Sequence, residues 1–150
     1  MPDLPRKKVG LISCSGEEMP EGTVTRRAVR RVLDTLRPDD TVTLCLPLFL
    51  AGGEGERAFA RYYPTIAVDG CDKRCAALAT EKYSAKPAAS IIVTEIAKKC
   101  GCGQIGTARR LSAEGLRLAG EVAGKIAAKT DRLLKKKPKG VPRRVGGGER

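Results

Sequence analysis

The chain has 150 residues and a formal charge of +12, from 29 lysines and arginines against 17 acids. Hydrophobic residues make up 41% of it, enough for the core of one ordinary domain, but aromatics only 3%, so Val, Ile, Leu and Ala must build that core. Histidine is absent, which excludes Ser-His-Asp and Cys-His catalysis and any imidazole metal site, and leaves six cysteines as the place to look for chemistry.

Residues 7–14 (KKVGLISC) form a short apolar run with β-branched side chains and read as a first strand. Val24, Ala28, Val32 and Leu36 then recur at near-helical spacing, with Arg26, Arg27, Arg30 and Arg31 on other faces. This is an amphipathic helix closed by Pro38, its arginines forming a wet face. Residues 41–46 (TVTLCL) read as a second strand stopped by Pro47. Gly52 and Gly53 open a loop, and 54–62 suits a short helix. Residues 65–68 (TIAV) read as a third strand, 71–83 as a helix and 89–96 (ASIIVTEI) as a fourth strand followed by a polar connection. A last helix runs from Ala108 or Ser112 to about Lys136, with Ala119, Val122, Ala123, Ile126, Ala127, Leu133 and Leu134 on one side.

Strands alternating with helices predict a single three-layer α/β domain with a four-stranded parallel sheet, in the order 2-1-3-4 of flavodoxin-like and Rossmann-like folds. The expected domain covers 1–134. Residues 135–150 contain Pro138, Pro142 and three consecutive glycines and read as a basic, disordered tail. From Lys129 to Arg150 there are nine basic residues against two acidic ones. Nucleic acid is an expected partner only through that tail; no aromatic is interleaved there for base stacking. The apolar run 9–12 is too short for a signal peptide, and no stretch approaches the roughly 18 residues of a membrane span. The expected compartment is the cytoplasm, without membrane attachment, where thiols stay reduced.

Each cysteine falls at or past the same end of an expected strand. Cys14 ends the first, Cys45 lies at the end of the second, Cys71 and Cys75 follow the third, and Cys100 and Cys102 follow the fourth. Parallel α/β folds bind ligands at that edge. Cys45 sits inside an apolar run and could simply be packed there. Cys71 and Cys75, four apart on a helix, would share one face about 5–6 Å apart and could share one metal ion. Cys71 would stand at the helix N-terminus beside Lys73 and Arg74, a setting that suits a thiolate.

Three alternatives are weaker. The glycine-rich 52–57 lacks the Gly-Lys-Ser/Thr ending of a phosphate loop. The residues six after each cysteine are Pro20, Ala51, Ala77, Glu81, Gly106 and Ala108, so no Cys-x₅-Arg loop exists. Thioredoxin-type Cys-x-x-Cys is also missing. Asp69 could orient a ligand or cap the following helix. Glu17 and Glu18 could act as acid, base or oxygen ligand, or be solvated loop charges.

Ser13-Cys14-Ser15-Gly16, Cys45-Leu46 and above all Val68-Asp69-Gly70-Cys71-Asp72-Lys73-Arg74-Cys75-Ala76 resemble the DGC-domain family, named for its Asp-Gly-Cys motif. The resemblance covers about 7–96. It implies a zinc-binding protein whose four chelating cysteines correspond by position to Cys14, Cys45, Cys71 and Cys75. Zinc accepts four thiolates without histidine, and an iron–sulfur cluster is equally compatible with them. The expected function is therefore cytoplasmic metal binding, with no catalytic residue assigned. The alternative is a cysteine-dependent sulfur or redox enzyme with Cys71 as nucleophile or cluster ligand and Cys100 or Cys102 as resolving thiol. An adaptor acting through the basic tail is a third reading.

Overall fold

Residues 7–136 are described by the structure, a computed structural model. The first strand, β1 (Val9–Ser13), is covered on both faces: Val9 and Leu11 are fully buried and Ile12 nearly so. That is why its apolar run is continuous rather than alternating. Helix α1 (Pro20–Arg31) starts on a proline, whose missing N–H costs nothing in a first turn, and buries Val24, Ala28 and Val29. It runs into a π-helical turn, Val32–Leu36, closed by Arg37 N–H donating to the Val32 carbonyl at 2.8 Å. Arg37 then grips Asp131 with two 2.7 Å hydrogen bonds, a bidentate pair that ties this turn to the last helix.

The second strand is shorter than expected. β2 covers only Thr41–Thr43, and α2 (Leu46–Ala51) begins where the strand was expected to continue. Pro47 lies in the first turn of α2, so it starts a helix instead of stopping a strand. Gly52, at φ 105°, ends α2 in the left-handed conformation that glycine adopts without strain. Two short helices follow, α3 (Glu54–Arg57) and α4 (Phe59–Tyr62), and then β3 (Thr65–Asp69), buried along its whole length. Helix α5 is Cys75–Tyr83 rather than 71–83. The fourth strand also stops early: β4 is Ala89–Ile92, and Val93–Cys100 is a helix, α6. Helix α7 (Ala113–Lys135) is capped by Ser112, whose Oγ accepts from Gly115 N–H at 3.2 Å.

The four strands are all parallel, in the order β2-β1-β3-β4, as expected. One face of the sheet packs Val9, Leu11, Ile66 and Val68 against Val24, Ala28, Leu118, Val122 and Ile126 of α1 and α7. The other face carries a smaller cluster of Ile12, Phe59, Ala67, Ala76 and Ala77 beneath α4 and α5. The result is the expected three-layer α/β domain. The expected domain boundary at 134/135 falls at the end of α7, and 137–150 of the proposed tail lies outside the described residues. Among the described residues no helix is long and apolar enough to cross a membrane.

One surface tie has a pH signature. Gly103 N–H donates to Glu114 Oε1 at 3.0 Å, and Arg117 holds the same carboxylate through two more 3.0 Å bonds. Arg117 first, and Gly103 second, lower the Glu114 carboxyl from 4.5 to about 2. A lowered carboxyl contributes stability above its ordinary value and loses it as pH falls through the folded one. The Gly103 amide resonance is therefore expected to stay put from neutral pH down through 4.5 and to move only as pH falls through about 2. A Gly103 amide that instead shifts around 4.5 would show the tie to be absent in solution.

Candidate functional site

The strand order makes β1 and β3 neighbours at the point where the chain changes direction across the sheet. A crevice opens outside the carboxyl ends of such strands. The register pairs Ser13 with Val68, and Cys14 N–H extends the ladder to the Val68 carbonyl at 2.9 Å. Cys14 is thus placed by sheet pairing, not by a loose loop. Its Sγ accepts a hydrogen bond from Gly70 N–H at 3.2 Å. The buried hydroxyl of Thr25 lies 2.9 Å from the Cys14 carbonyl oxygen and 2.6 Å from that of Gly22, so α1 is also pinned to this loop.

The loops close tightly here. A side chain at Gly22 would run into the Gly16 carbonyl, and one at Gly70 would lie 3.1 Å from the Glu21 backbone. Glycine lets the β1–α1 loop, the first turn of α1 and the β3–α5 loop touch backbone to backbone.

Asp69 ends β3 and is buried, at 1% exposure. Its carboxylate accepts from Ala76 N–H at 2.6 Å and Ala77 N–H at 3.1 Å. Of its two expected roles it fills the cap, from a position several residues before the helix. Burial pushes its carboxyl up, and the two N–H donors pull the other way.

Between Asp69 and α5, Cys71 to Arg74 form a turn closed by Arg74 N–H to Cys71 O at 3.2 Å. Arg74 adopts φ 54°, ψ 45°, left-handed and unusual for a residue with a side chain. This corrects the expected pairing of Cys71 and Cys75 on one helical face. Cys71 lies in the turn and only Cys75 belongs to the helix, as its first residue. The helix N-terminus therefore belongs to Cys75, not Cys71.

Cys14, Cys71 and Cys75 nonetheless line one cavity of about 390 Å³, with Met19, Leu46 and Leu50 as apolar wall and Glu21 and Lys73 as charges. Cys45 is not part of its lining. It is exposed at the start of α2, two residues past the end of β2, so it lies just beyond a strand end and is not packed inside a strand. Cys100 and Cys102 are elsewhere. α6 carries the chain away from the strand end, and the two cysteines form a disulfide with each other, Cα atoms 5.6 Å apart, packed against the α1–α7 core. The expectation that all six cysteines share one sheet edge holds for the first three strands and fails for the fourth. Glu17 pairs with Arg26 at 2.5 Å and Glu18 is exposed, which matches solvated loop charges. Glu21, which the sequence reading passed over, is the acid at the cavity.

The donor set suits a thiophilic ion such as zinc, being sulfur without imidazole. Among the described residues, however, no three His, Cys, Asp or Glu groups gather closely enough to hold one. The residues fit by chemistry and are not drawn up into a preformed cage.

Fold and crevice define a class: a parallel α/β protein that carries three free thiols at the switch point of its sheet. Within that class the family is also defined. The DGC domain model matches residues 10–117, well over half of the chain, and the protein belongs to the DGC domain family. No curated protein and no solved structure matches it.

Proposed function

We propose that this protein binds a metal ion, zinc, through Cys14, Cys71 and Cys75 at the carboxyl edge of the sheet, with Cys45 as the fourth ligand. The observation that supports it is the shared cavity: three thiols from two neighbouring strand-to-helix connections line one space. A bound ion would supply Lewis acidity or simply cross-link the connections. The chain's own residues prepare the place. Gly70 N–H orients the Cys14 sulfur, and Asp69 fixes the start of α5 and hence Cys75. A reducing compartment such as the cytoplasm suits four ligands that must be thiolates.

The cavity volume favours a second reading, in which the same thiols do sulfur or redox chemistry on a small molecule. About 390 Å³ with apolar walls is more than one ion needs and lies in the range of small-ligand sites. Anaerobic purification followed by zinc, iron and sulfide analysis, with a visible spectrum, separates the readings. About one zinc per chain is expected and no visible absorption, zinc being d¹⁰. Iron and sulfide with broad visible absorption would replace zinc by a cluster. Metal-free protein that does not take up zinc would leave the thiol-chemistry reading in its place.

A further inference from the structure

Helices α1 and α7 lie side by side and run in the same direction. Thr23 Oγ1 donates to Ala108 O at 2.5 Å near their starts, and the Arg37–Asp131 pair joins them near their ends. Between them is an open groove of about 540 Å³ into which Arg26, Arg27, Arg30 and Arg31 all face, with Asp34 the acid in its lining. These four arginines are the residues expected to form a mere wet face.

Their hydrogen bonds divide them into two pairs. Arg26 is engaged with Ser15 O and Glu17, and Arg30 with Asp34. Arg27 and Arg31 are exposed and have no acidic partner among the described residues. Four apart on a helix, they stand about 6 Å from each other along its axis. Like charges at this spacing repel, which destabilises the helix while the groove is empty. Opposite them α7 presents Gly120, whose missing side chain leaves a gap: a Cβ there would come 3.6 Å from Arg31 Nη1. Glycine inside a helix is less favourable than alanine, and here it keeps the groove open beside a free guanidinium.

We propose that this groove binds a small oligophosphate, a ligand with two or more linked phosphate groups, with Arg27 and Arg31 as its principal ligands. The guanidinium fork matches phosphate oxygens two at a time and keeps its charge at any physiological pH. The volume falls in the range of small-molecule sites. The site stands apart from the cysteine cavity and shares no lining residue with it.

The test is calorimetric titration of the full chain with inorganic tripolyphosphate at low ionic strength. One saturable site per chain is expected. Its affinity should fall about tenfold or more in the Arg27→Ser/Arg31→Ser double variant, as loss of two charge-assisted contacts implies. Gly120→Leu should weaken it to a similar degree, since it fills the groove and leaves the net charge alone. Arg61→Ser/Lys82→Ser removes the same charge from the opposite layer and should leave affinity within about twofold. Affinity retained in both the arginine and glycine variants would overturn the proposal and assign the binding to general charge or to the basic C-terminal segment. Absence of saturable binding would overturn it as well. Should Gly120→Leu fail to fold, the exposed arginine pair alone decides.

Discussion

Replacing Cys71 by serine is expected to remove stoichiometric metal and leave the fold standing. Cys71 is half-buried in a turn held by backbone hydrogen bonding, so losing its sulfur touches no core contact. Zinc gains its hold from thiolates in a closed tetrahedron, and with only two cavity sulfurs left, Cys45, which lies outside the cavity lining, does not suffice to close it. Metal content in the purified variant should fall from about one zinc per chain to a small fraction of that, with far-ultraviolet circular dichroism unchanged. Cys14→Ser should behave the same way. Cys45→Ser should keep metal at reduced affinity, because water can take one position of a zinc site. Full metal content in Cys71→Ser would remove this cavity from the metal-binding reading.

The second large effect is on stability. Asp69→Ala takes the acceptor from two buried N–H groups, those of Ala76 and Ala77. A buried donor left without a partner costs about 1–3 kcal/mol, and with some relief from water the pair should cost about 2–4 kcal/mol in urea denaturation. Asp69→Asn retains one carbonyl acceptor and should lose roughly half as much. The pH dependence has a definite sign. Burial raises the Asp69 carboxyl above its ordinary 3.8, so its contribution is fullest below that value and is lost as pH rises through the raised one. The non-titrating asparagine variant should therefore gain on the wild type across that rise. Asp69→Ala within about 0.5 kcal/mol of wild type would show that the cap contributes nothing, since that is the scatter of neutral surface substitutions.

Much of this was legible in the sequence. β1 and β3 could be read because both faces are buried and the apolar runs are unbroken. Three boundaries could not be read locally. The residues 89–96 look like one strand, but β3 supplies pairing partners only up to Asp69, opposite Ile92. Beyond that the chain coils into α6 despite the β-branched Val93 and Thr94. Residues 44–46 (LCL) look like a continuation of TVT, but β1 offers no partner beyond Leu11 opposite Thr43, and Leu46 instead opens α2. The start of α5 is set by a carboxylate at Asp69, too far back for a cap signal at the usual spacing. That displaced start also explains the misplaced Cys71. The crevice itself was readable from Cys14 and the Asp-Gly-Cys motif, whereas its wall of Leu46 and Leu50 was hidden because 46–51 was not read as a helix.

That wall differs in kind from the floor. The floor is backbone against backbone, with Gly16, Gly22 and Gly70 leaving no room for exchange. The wall is side chains: Met19 and Leu50, 41% and 47% exposed, and Leu46, which also packs against the cluster of Ile12, Phe59 and Ala67. Substitution at the floor forces backbone apart, while substitution at Met19 or Leu50 reshapes the opening and leaves the packing beneath it intact. The crevice is thus evolvable on one side only, and an engineer who wished to change what enters it would work on those two residues and spare the glycines.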